Sequence, residues 1–292
     1  MERPMTEVVF EAEVRGGVMR GYRYGPDDDG APTILAIHGV TASSRAWLAL
    51  SAQLTGYRIL APDLRGRARS RELPPPYGLR QHAEDLASLA ETYDMERPVV
   101  IGHSMGAFVA VALADRIDVA GLVLVDGGFP LTMPPGATLE QLIPQLLGPA
   151  AERLALEFAT PRAYRDYWRE HPAFRRDWTP ELETYLDYDL TGVAPHLRPS
   201  ARIEAVTVDS GDQFGPGWYR DAMRGLRMPV TALRAPRGLL DAEPLYAPGV
   251  IDAFTADLPQ LRIVEVPDVN HYTIVMTERG ARAVAAEVRP LL

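Results

Sequence analysis

The stretch VVIGHSMGAFVAVALA, residues 99–114, places a serine between two glycines. β-Branched residues precede Gly102 and an alanine-rich apolar run follows Gly106, so the stretch predicts a strand that turns directly into a helix. Such a turn brings the backbone close to itself and needs small residues on both sides. Ser104 at its apex would hold an exposed hydroxyl at the helix N-terminus, which is the position of a nucleophile.

Short, nearly continuous apolar runs recur along the chain and predict strands buried on both faces. These runs cover residues 33–39, 57–63, 98–104, 121–128, 228–236 and 261–268. Near the N-terminus, the alternating segments TEVVFEAEV and VMRGYRY predict an antiparallel pair of strands. Segments with helical spacing lie between them: SRAWLALSAQL, HAEDLASLAETYD, MGAFVAVALADR and ERGARAVAAEVRPLL. The alternation predicts an α/β fold with a mostly parallel, eight-stranded sheet flanked by helices.

The alternation stops between residues 129 and 225, which contain helix-like segments but no convincing central strand. These segments are TLEQLIPQLLG, AAERLALEF, PRAYRDYWRE and TPELETYLDYDL, the last with Thr179 as a cap and Pro180 at the first helical position. We interpret 129–225 as a helical cap inserted into a core domain of residues 1–128 and 226–292. The cap would cover the carboxyl ends of the strands, where chemistry collects in such sheets.

The composition excludes several kinds of chemistry. The 292 residues are 47% hydrophobic and 24% charged, which is enough for one substantial core. A net charge of −9 disfavours nucleic acid as a partner. The chain has no cysteine, which removes disulfides, thiolate catalysis and cysteine-ligated zinc, and no lysine, which removes Schiff-base chemistry.

The chain also gives an expectation about its location. MERPMTEVVFEAEV has no basic segment followed by an apolar core, so we expect no secretory signal. No apolar run approaches the roughly 20 residues needed to span a bilayer. We therefore expect a soluble, cytoplasmic protein with no membrane span, whose oligomeric state the sequence leaves open.

Six motifs follow one another along the chain: HGVTASSRAW, APDLRGRARS, GHSMG, LVLVDGG, PVTALRAPRGLLD and PDVNHYTIV. As a set, they resemble the α/β-hydrolase fold family, of the esterase, lipase and peroxidase-like kind. The resemblance covers nearly the whole chain and is far more specific than GHSMG alone. It implies a nucleophile, acid and base in the chain order of this fold.

A serine hydroxyl needs an imidazole to take its proton, and the resemblance places that base at His271, in a loop before the final helix. His103 adjoins the nucleophile and is expected to point away from it. Two carboxylates remain open as the acid that orients the imidazole. We favour Asp241, which has the family's glycine-x-x-aspartate spacing from Gly238, and hold Asp126 in reserve.

An ester carbonyl under attack develops negative charge on its oxygen and needs hydrogen-bond donors already in place. We expect the backbone N–H groups of Met105 and Val40 to form this oxyanion hole, with Gly39 allowing the close approach. His38 is expected to make hydrogen bonds within the loop that keep the hole in shape.

The segment PDLRGRARS departs from the family pattern, which commonly has His and Gly where Arg67 and Ala68 stand here. Its cluster of four arginines comprises Arg65, Arg67, Arg69 and Arg71. Three roles stay open for this cluster: a solvated rim, internal ion pairs with Asp63 and Glu72, or contact with an anionic substrate.

Together these features predict a serine hydrolase for a small to medium-sized carboxylic ester, lactone or thioester, acting through an acyl-enzyme. The mechanism requires no metal and no organic cofactor. A C–C bond hydrolase or a cofactor-free perhydrolase would use the same triad, and amide hydrolysis has no distinguishing feature. A small-molecule receptor of the same fold is the alternative without catalysis. The residues do not identify the substrate.

Overall fold

An eight-stranded sheet forms the centre of the part of the chain described by this computed structural model, residues 6–26, 32–134, 136–138, 140–142 and 152–292. The strands are β1 (Glu7–Val14), β2 (Gly17–Tyr24), β3 (Thr33–Ile37), β4 (Arg58–Pro62), β5 (Val99–His103), β6 (Gly121–Val125), β7 (Leu190–Val193), β8 (His196–Pro199), β9 (Val230–Arg234) and β10 (Leu261–Glu265). Strands β7 and β8 form a separate hairpin, and the sheet has the order β1-β2-β4-β3-β5-β6-β9-β10.

The direction of the strands follows their sequence patterns. The alternating strands β1 and β2 pair antiparallel, and β2 pairs antiparallel with β4. The other six strands of the sheet, in the spatial order β4-β3-β5-β6-β9-β10, all run parallel to their neighbours. Strands β4, β5 and β6 are buried along their whole length. The predicted α/β fold with a mostly parallel, eight-stranded sheet is confirmed.

Helices cover both faces of this sheet. They are α1 (Leu48–Gln53), α2 (Leu79–Thr92), α3 (Met105–Ala114), α4 (Pro161–Arg169), α5 (Pro180–Tyr188), α6 (Ile203–Asp212), α7 (Gly217–Gly225), α8 (Thr273–Met276) and α9 (Glu278–Val288). One apolar core contains residues of α2 and α3, and a second contains residues of α1 and α9. Helix α3 is apolar on all sides, and every residue from Met105 to Leu113 is buried. None of the helices in the described ranges is long and apolar enough to cross a bilayer.

The described part of the segment between β6 and β9 contains helices α4 to α7 and the hairpin of β7 and β8. Helices α4 and α5 begin after Thr160 and Thr179, whose side chains accept hydrogen bonds from the backbone N–H groups of Ala163 and Leu182. The hairpin of β7 and β8 was not expected, because its four-residue strands are too short to show a clear alternation. Most of the predicted helix TLEQLIPQLLG and the beginning of AAERLALEF lie outside the described residues.

Candidate active site

Ser104 lies at a sharp turn between β5 and α3 with a strained backbone conformation, φ 55° and ψ −123°. A Cβ atom on Gly102 would lie 2.2 Å from the carbonyl oxygen of Gly106, and one on Gly106 would lie 2.1 Å from that of Ile37. Any larger residue at these two positions would therefore displace the backbone. The predicted turn is present, and the Ser104 side chain at its apex is partly exposed.

His271 lies in the loop between β10 and α8, and its ring is held by a carboxylate. Its Nδ1 lies 2.6 Å from Oδ2 of Asp126, directly after β6. The other oxygen of Asp126, Oδ1, accepts a hydrogen bond from the backbone N–H of Ala235 at 3.1 Å. Both side chains are almost fully buried. This pairing leaves Nε2 as the ring atom available to exchange a proton.

Asp241, our favoured partner for His271, makes other contacts, so the expected pairing is wrong. Its Oδ1 lies 2.7 Å from Nε of Arg237 and accepts a hydrogen bond from Nδ2 of Asn270 at 3.0 Å. The order of the strands explains why Asp126 and not Asp241 pairs with His271. Asp126 follows β6, the strand next to β5, and the carbonyl oxygen of Val125 accepts a hydrogen bond from the Ser104 N–H at 2.9 Å. Asp126 is therefore beside the nucleophile, whereas Asp241 stabilises the neighbouring loop.

The ring of His103 lies against His271, a contact that the sequence did not indicate. Its ring centroid lies 4.8 Å from that of His271, and its Nε2 donates a hydrogen bond to the His271 carbonyl oxygen at 2.8 Å. Burial, followed by the proximity of His271, holds the pKa of His103 well below its usual range. The neutral ring of His103 thus fixes the backbone that carries His271.

The loop after β3 contains His38, Gly39 and Val40, and His38 makes the hydrogen bonds expected of it. Its Nδ1 donates to the carbonyl oxygen of Gly39 at 2.7 Å, and its Nε2 accepts from the N–H of Leu64 at 2.9 Å. Burial, together with the positive charge of Arg67, lowers the pKa of His38 to about 3. The Gly39 carbonyl and the Val40 N–H belong to one planar peptide and point in opposite directions. His38 therefore fixes the direction of the Val40 N–H.

Gly39 allows the loop to approach the nucleophile. A Cβ atom at Gly39 would lie 3.2 Å from the Cβ of Ser104, closer than most side chains tolerate. Met105, whose N–H is the other expected donor, is the first residue of α3. Gly39 of the loop and the first residue of α3 are therefore both next to Ser104.

Two of the four arginines in the cluster of residues 65–71 are buried, whereas Arg69 is exposed and Arg71 is partly exposed. The side chains of Arg65 and Arg67 have no exposed surface and pair with Asp85 and Asp209, neither of which was an expected partner. Arg71 lies 3.5 Å from Glu72, but Glu72 is 83% exposed, so this pair lies at the surface and is not the expected internal one. Asp63 accepts a hydrogen bond from the backbone N–H of Arg69 at 3.3 Å. Because the spacing of charges along the chain does not indicate such distant partners, the sequence missed both buried pairs.

Ser104 and His271 line one cavity of about 470 Å³. Its walls are mainly apolar and combine loops of the core with the segment between β6 and β9; they include Val40, Leu131, Trp168, Tyr185, Leu240 and Met276. Glu243 is the one acidic residue among the described lining residues, and none of these is an arginine. The sequence did not assign the cap aromatics Trp168 and Tyr185, because aromatic residues at helical spacing usually belong to a core.

The described residues offer no obvious metal centre. No group of three or more histidine and acidic side chains lies close enough together within the described ranges to hold a metal ion.

The chain matches the profile of the Alpha/beta hydrolase family over residues 34–287. Lipase LipV of Mycobacterium tuberculosis is 37% identical over 139 residues, which are 45% of this chain and 51% of LipV. The chain thus spans about half the length of that relative. The putative hydrolase LipZ of the same species is 26% identical over 259 residues, 86% of this chain and 85% of LipZ.

Two solved structures share the fold over nearly the whole chain. E-2-(acetamidomethylene)succinate hydrolase superposes with a TM-score of 0.77 at 20% identity, covering 98% of this chain and 100% of the other. The thioesterase domain from the curacin biosynthetic pathway gives a TM-score of 0.74 at 19% identity, with coverages of 98% and 100%. At such low identity, these two similarities establish the fold alone.

Proposed function

Because the chain belongs to the alpha/beta hydrolase family, we propose that it is a serine hydrolase acting on a small to medium-sized carboxylic ester, lactone or thioester. One observation carries this proposal. A serine on a strained turn and a histidine paired with a buried carboxylate line the same cavity. The names of LipV and LipZ agree with hydrolytic chemistry.

In the proposed reaction, Ser104 Oγ attacks the carbonyl carbon while Nε2 of His271 takes its proton. Asp126 keeps the proton on Nδ1 and stabilises the imidazolium that forms. The bond to the leaving alcohol or thiol then breaks, and His271 returns the proton to the leaving group. Water repeats the sequence on the acyl-enzyme, releasing a carboxylic acid and restoring Ser104.

The negative charge on the carbonyl oxygen would be stabilised by the N–H groups of Val40 and Met105. The Val40 group is directed by the hydrogen bond from His38 to Gly39, and the Met105 group lies at the N-terminal end of α3. The positive end of the helix dipole favours an anion at this point.

The cavity favours a substrate without charge on its acyl part. Glu243 would repel a substrate carboxylate, and no arginine among the described lining residues would pair with one. The apolar side chains of Leu131, Leu240 and Met276 suit an alkyl or aryl acyl group. We therefore propose a neutral ester, lactone or thioester as the substrate class.

The proposal is tested with p-nitrophenyl acetate, p-nitrophenyl butyrate and an anionic hemisuccinate ester. We expect turnover of the neutral esters, weak turnover of the anionic one, and a loss of roughly a thousandfold or more in Ser104→Ala and in His271→Ala. A fluorophosphonate probe should label the wild type and spare Ser104→Ala. Ser88→Ala, on helix α2, is the matched control and should keep full activity. Unchanged turnover in Ser104→Ala would overturn the proposal.

A further inference from the structure

The guanidinium of Arg67 lies between the loop after β3 and helix α6. Its Nε donates a hydrogen bond to the carbonyl oxygen of Val40 at 2.9 Å, and its Nη1 donates to that of Arg65 at 2.8 Å. Nη1 also lies 2.5 Å from Oδ2 of Asp209, and Nη2 lies 4.0 Å from the sulfur of Met105. One buried cation thus contacts both residues whose N–H groups form the proposed oxyanion hole.

Asp209 is a fully buried residue of α6 that is fixed from several sides. Its Oδ1 accepts a hydrogen bond from the N–H of Gly78 at 2.7 Å, and its Oδ2 lies 3.0 Å from Nε2 of His82. Burial alone would raise the pKa of Asp209, but the positive charge of Arg67 and the contact with His82 outweigh burial and lower it to about 2. Asp209 is therefore a fixed carboxylate that sets the position of the guanidinium.

We propose that Arg67 and Asp209 are positioning residues, through which helix α6 orients the backbone of the oxyanion hole. The inference rests on the serine hydrolase function proposed above. The hydrogen bond to the Val40 carbonyl fixes the peptide after Val40, while His38 fixes the peptide before it through Gly39. His38 thus sets the direction of the Val40 N–H, and Arg67 holds the Val40 residue in place from its other side.

Only arginine can make this set of contacts. Its planar guanidinium presents five N–H groups in a fixed fork, so it can bind two backbone carbonyls and a carboxylate at once. A lysine at position 67 could keep the charge next to Asp209 but could not hold the Val40 and Arg65 carbonyls in the same geometry. Arg67→Lys therefore separates the orienting role from the charge.

A second buried pair provides a matched control. Arg65 has no exposed surface, its Nη2 lies 2.7 Å from Oδ1 of Asp85, and it donates to the carbonyl oxygens of Pro74 and Arg15. None of these contacts involves Val40 or Met105. Arg65→Lys should therefore perturb a buried ion pair to a similar degree while leaving the proposed oxyanion hole in place.

The experiment compares Arg67→Lys, Asp209→Asn and Arg65→Lys with the wild type. It measures kcat and KM for p-nitrophenyl butyrate, normalised to the concentration of fluorophosphonate-titrated sites, and the inhibition constant of a short-chain alkyl trifluoromethyl ketone. The ketone forms a tetrahedral oxyanion with the serine, so its affinity reports on the oxyanion hole. In Arg67→Lys and Asp209→Asn, the misplaced donor should lower kcat by about 10- to 100-fold and raise the inhibition constant of the ketone by a similar factor. KM should stay within about threefold of the wild-type value. Arg65→Lys should keep kcat and ketone affinity within about twofold even where its melting temperature falls.

The outcomes separate this inference from the function on which it rests. If Arg67→Lys and Asp209→Asn keep the wild-type kcat and ketone affinity, or if Arg65→Lys weakens the ketone as much as they do, the positioning role is wrong. If Ser104→Ala stays active, the serine mechanism itself is wrong. Asp209→Asn nearly preserves side-chain volume and supplies the test if Arg67→Lys does not fold.

Discussion

The two sides of the candidate site are built in different ways. On the side of the base, His271 is held by Asp126 and His103, which lie at the ends of neighbouring parallel strands. On the side of the oxyanion hole, Val40 is held by Arg67, whose carboxylate partner Asp209 lies on a helix between β6 and β9. The two direct partners of the base thus come from strand ends of the sheet, whereas the guanidinium that holds Val40 is itself held by a helix outside the sheet.

This difference has a functional consequence. Changes on the base side remove the partners that orient His271 and should change both the rate and its pH dependence. Changes on the oxyanion side alter the stabilisation of a developing anion and should change the rate at every pH alike.

The largest effect is expected at the acid. Asp126→Asn keeps the shape of the side chain but stabilises the wrong tautomer of His271, so we expect kcat to fall by about 10⁴-fold. Asp241→Asn should lower kcat by less than about tenfold, because Asp241 contacts Arg237 and Asn270 rather than His271. Steady-state kinetics between pH 5 and pH 9 test both variants. A dead Asp241→Asn beside an active Asp126→Asn would reverse the assignment.

A smaller effect is expected at His38. His38→Phe keeps a ring but removes both hydrogen bonds, so the peptide carrying the Val40 N–H loses its restraint, and kcat should fall by about 10- to 100-fold. The shape of the pH–rate profile should not change, because His271 and Asp126 are untouched. A shifted profile measured over the same pH range would contradict the separation of the two sides.

The smallest effect concerns stability. The pKa of His38 is lowered to about 3 in the folded protein, whereas a histidine in the unfolded chain titrates near pH 6.5. Between these values the unfolded chain binds more protons, so the free energy of unfolding falls as the pH falls, by about 1.4 kcal/mol per pH unit. The pKa of His103 is also lowered in the folded protein, so His103 adds to the fall of the unfolding free energy at low pH.

Urea unfolding at pH 7.5 and at pH 5.5 measures this dependence. His38→Phe should reduce the loss of unfolding free energy between the two pH values by about 1.4 kcal/mol. Ser88→Ala, which removes no titratable group, is the control and should leave the loss unchanged. An unchanged loss in His38→Phe would show that His38 takes up protons in the folded protein.

The sequence predicted the features that local pattern determines. Apolar runs gave the strands of the sheet, and the glycines around Ser104 gave its turn, because both depend on residues close together in the chain. The acid was misassigned because the spacing from Gly238 to Asp241 is a local signal, whereas the pairing with His271 depends on which strand ends lie side by side. Arg67 and Asp209 are 142 residues apart, the difference between their two positions, and only the folded chain shows their contact.

The burial of helix α3 determines whether the segment after Ser104 can unfold locally or only together with the core. Since Ser104 directly precedes a helix that has no face toward solvent from Met105 to Leu113, this segment cannot open without exposing apolar surface on every side. Its amide protons should exchange with deuterium only when the whole core unfolds. Heat should therefore abolish the nucleophile's geometry in the same cooperative step that melts the sheet.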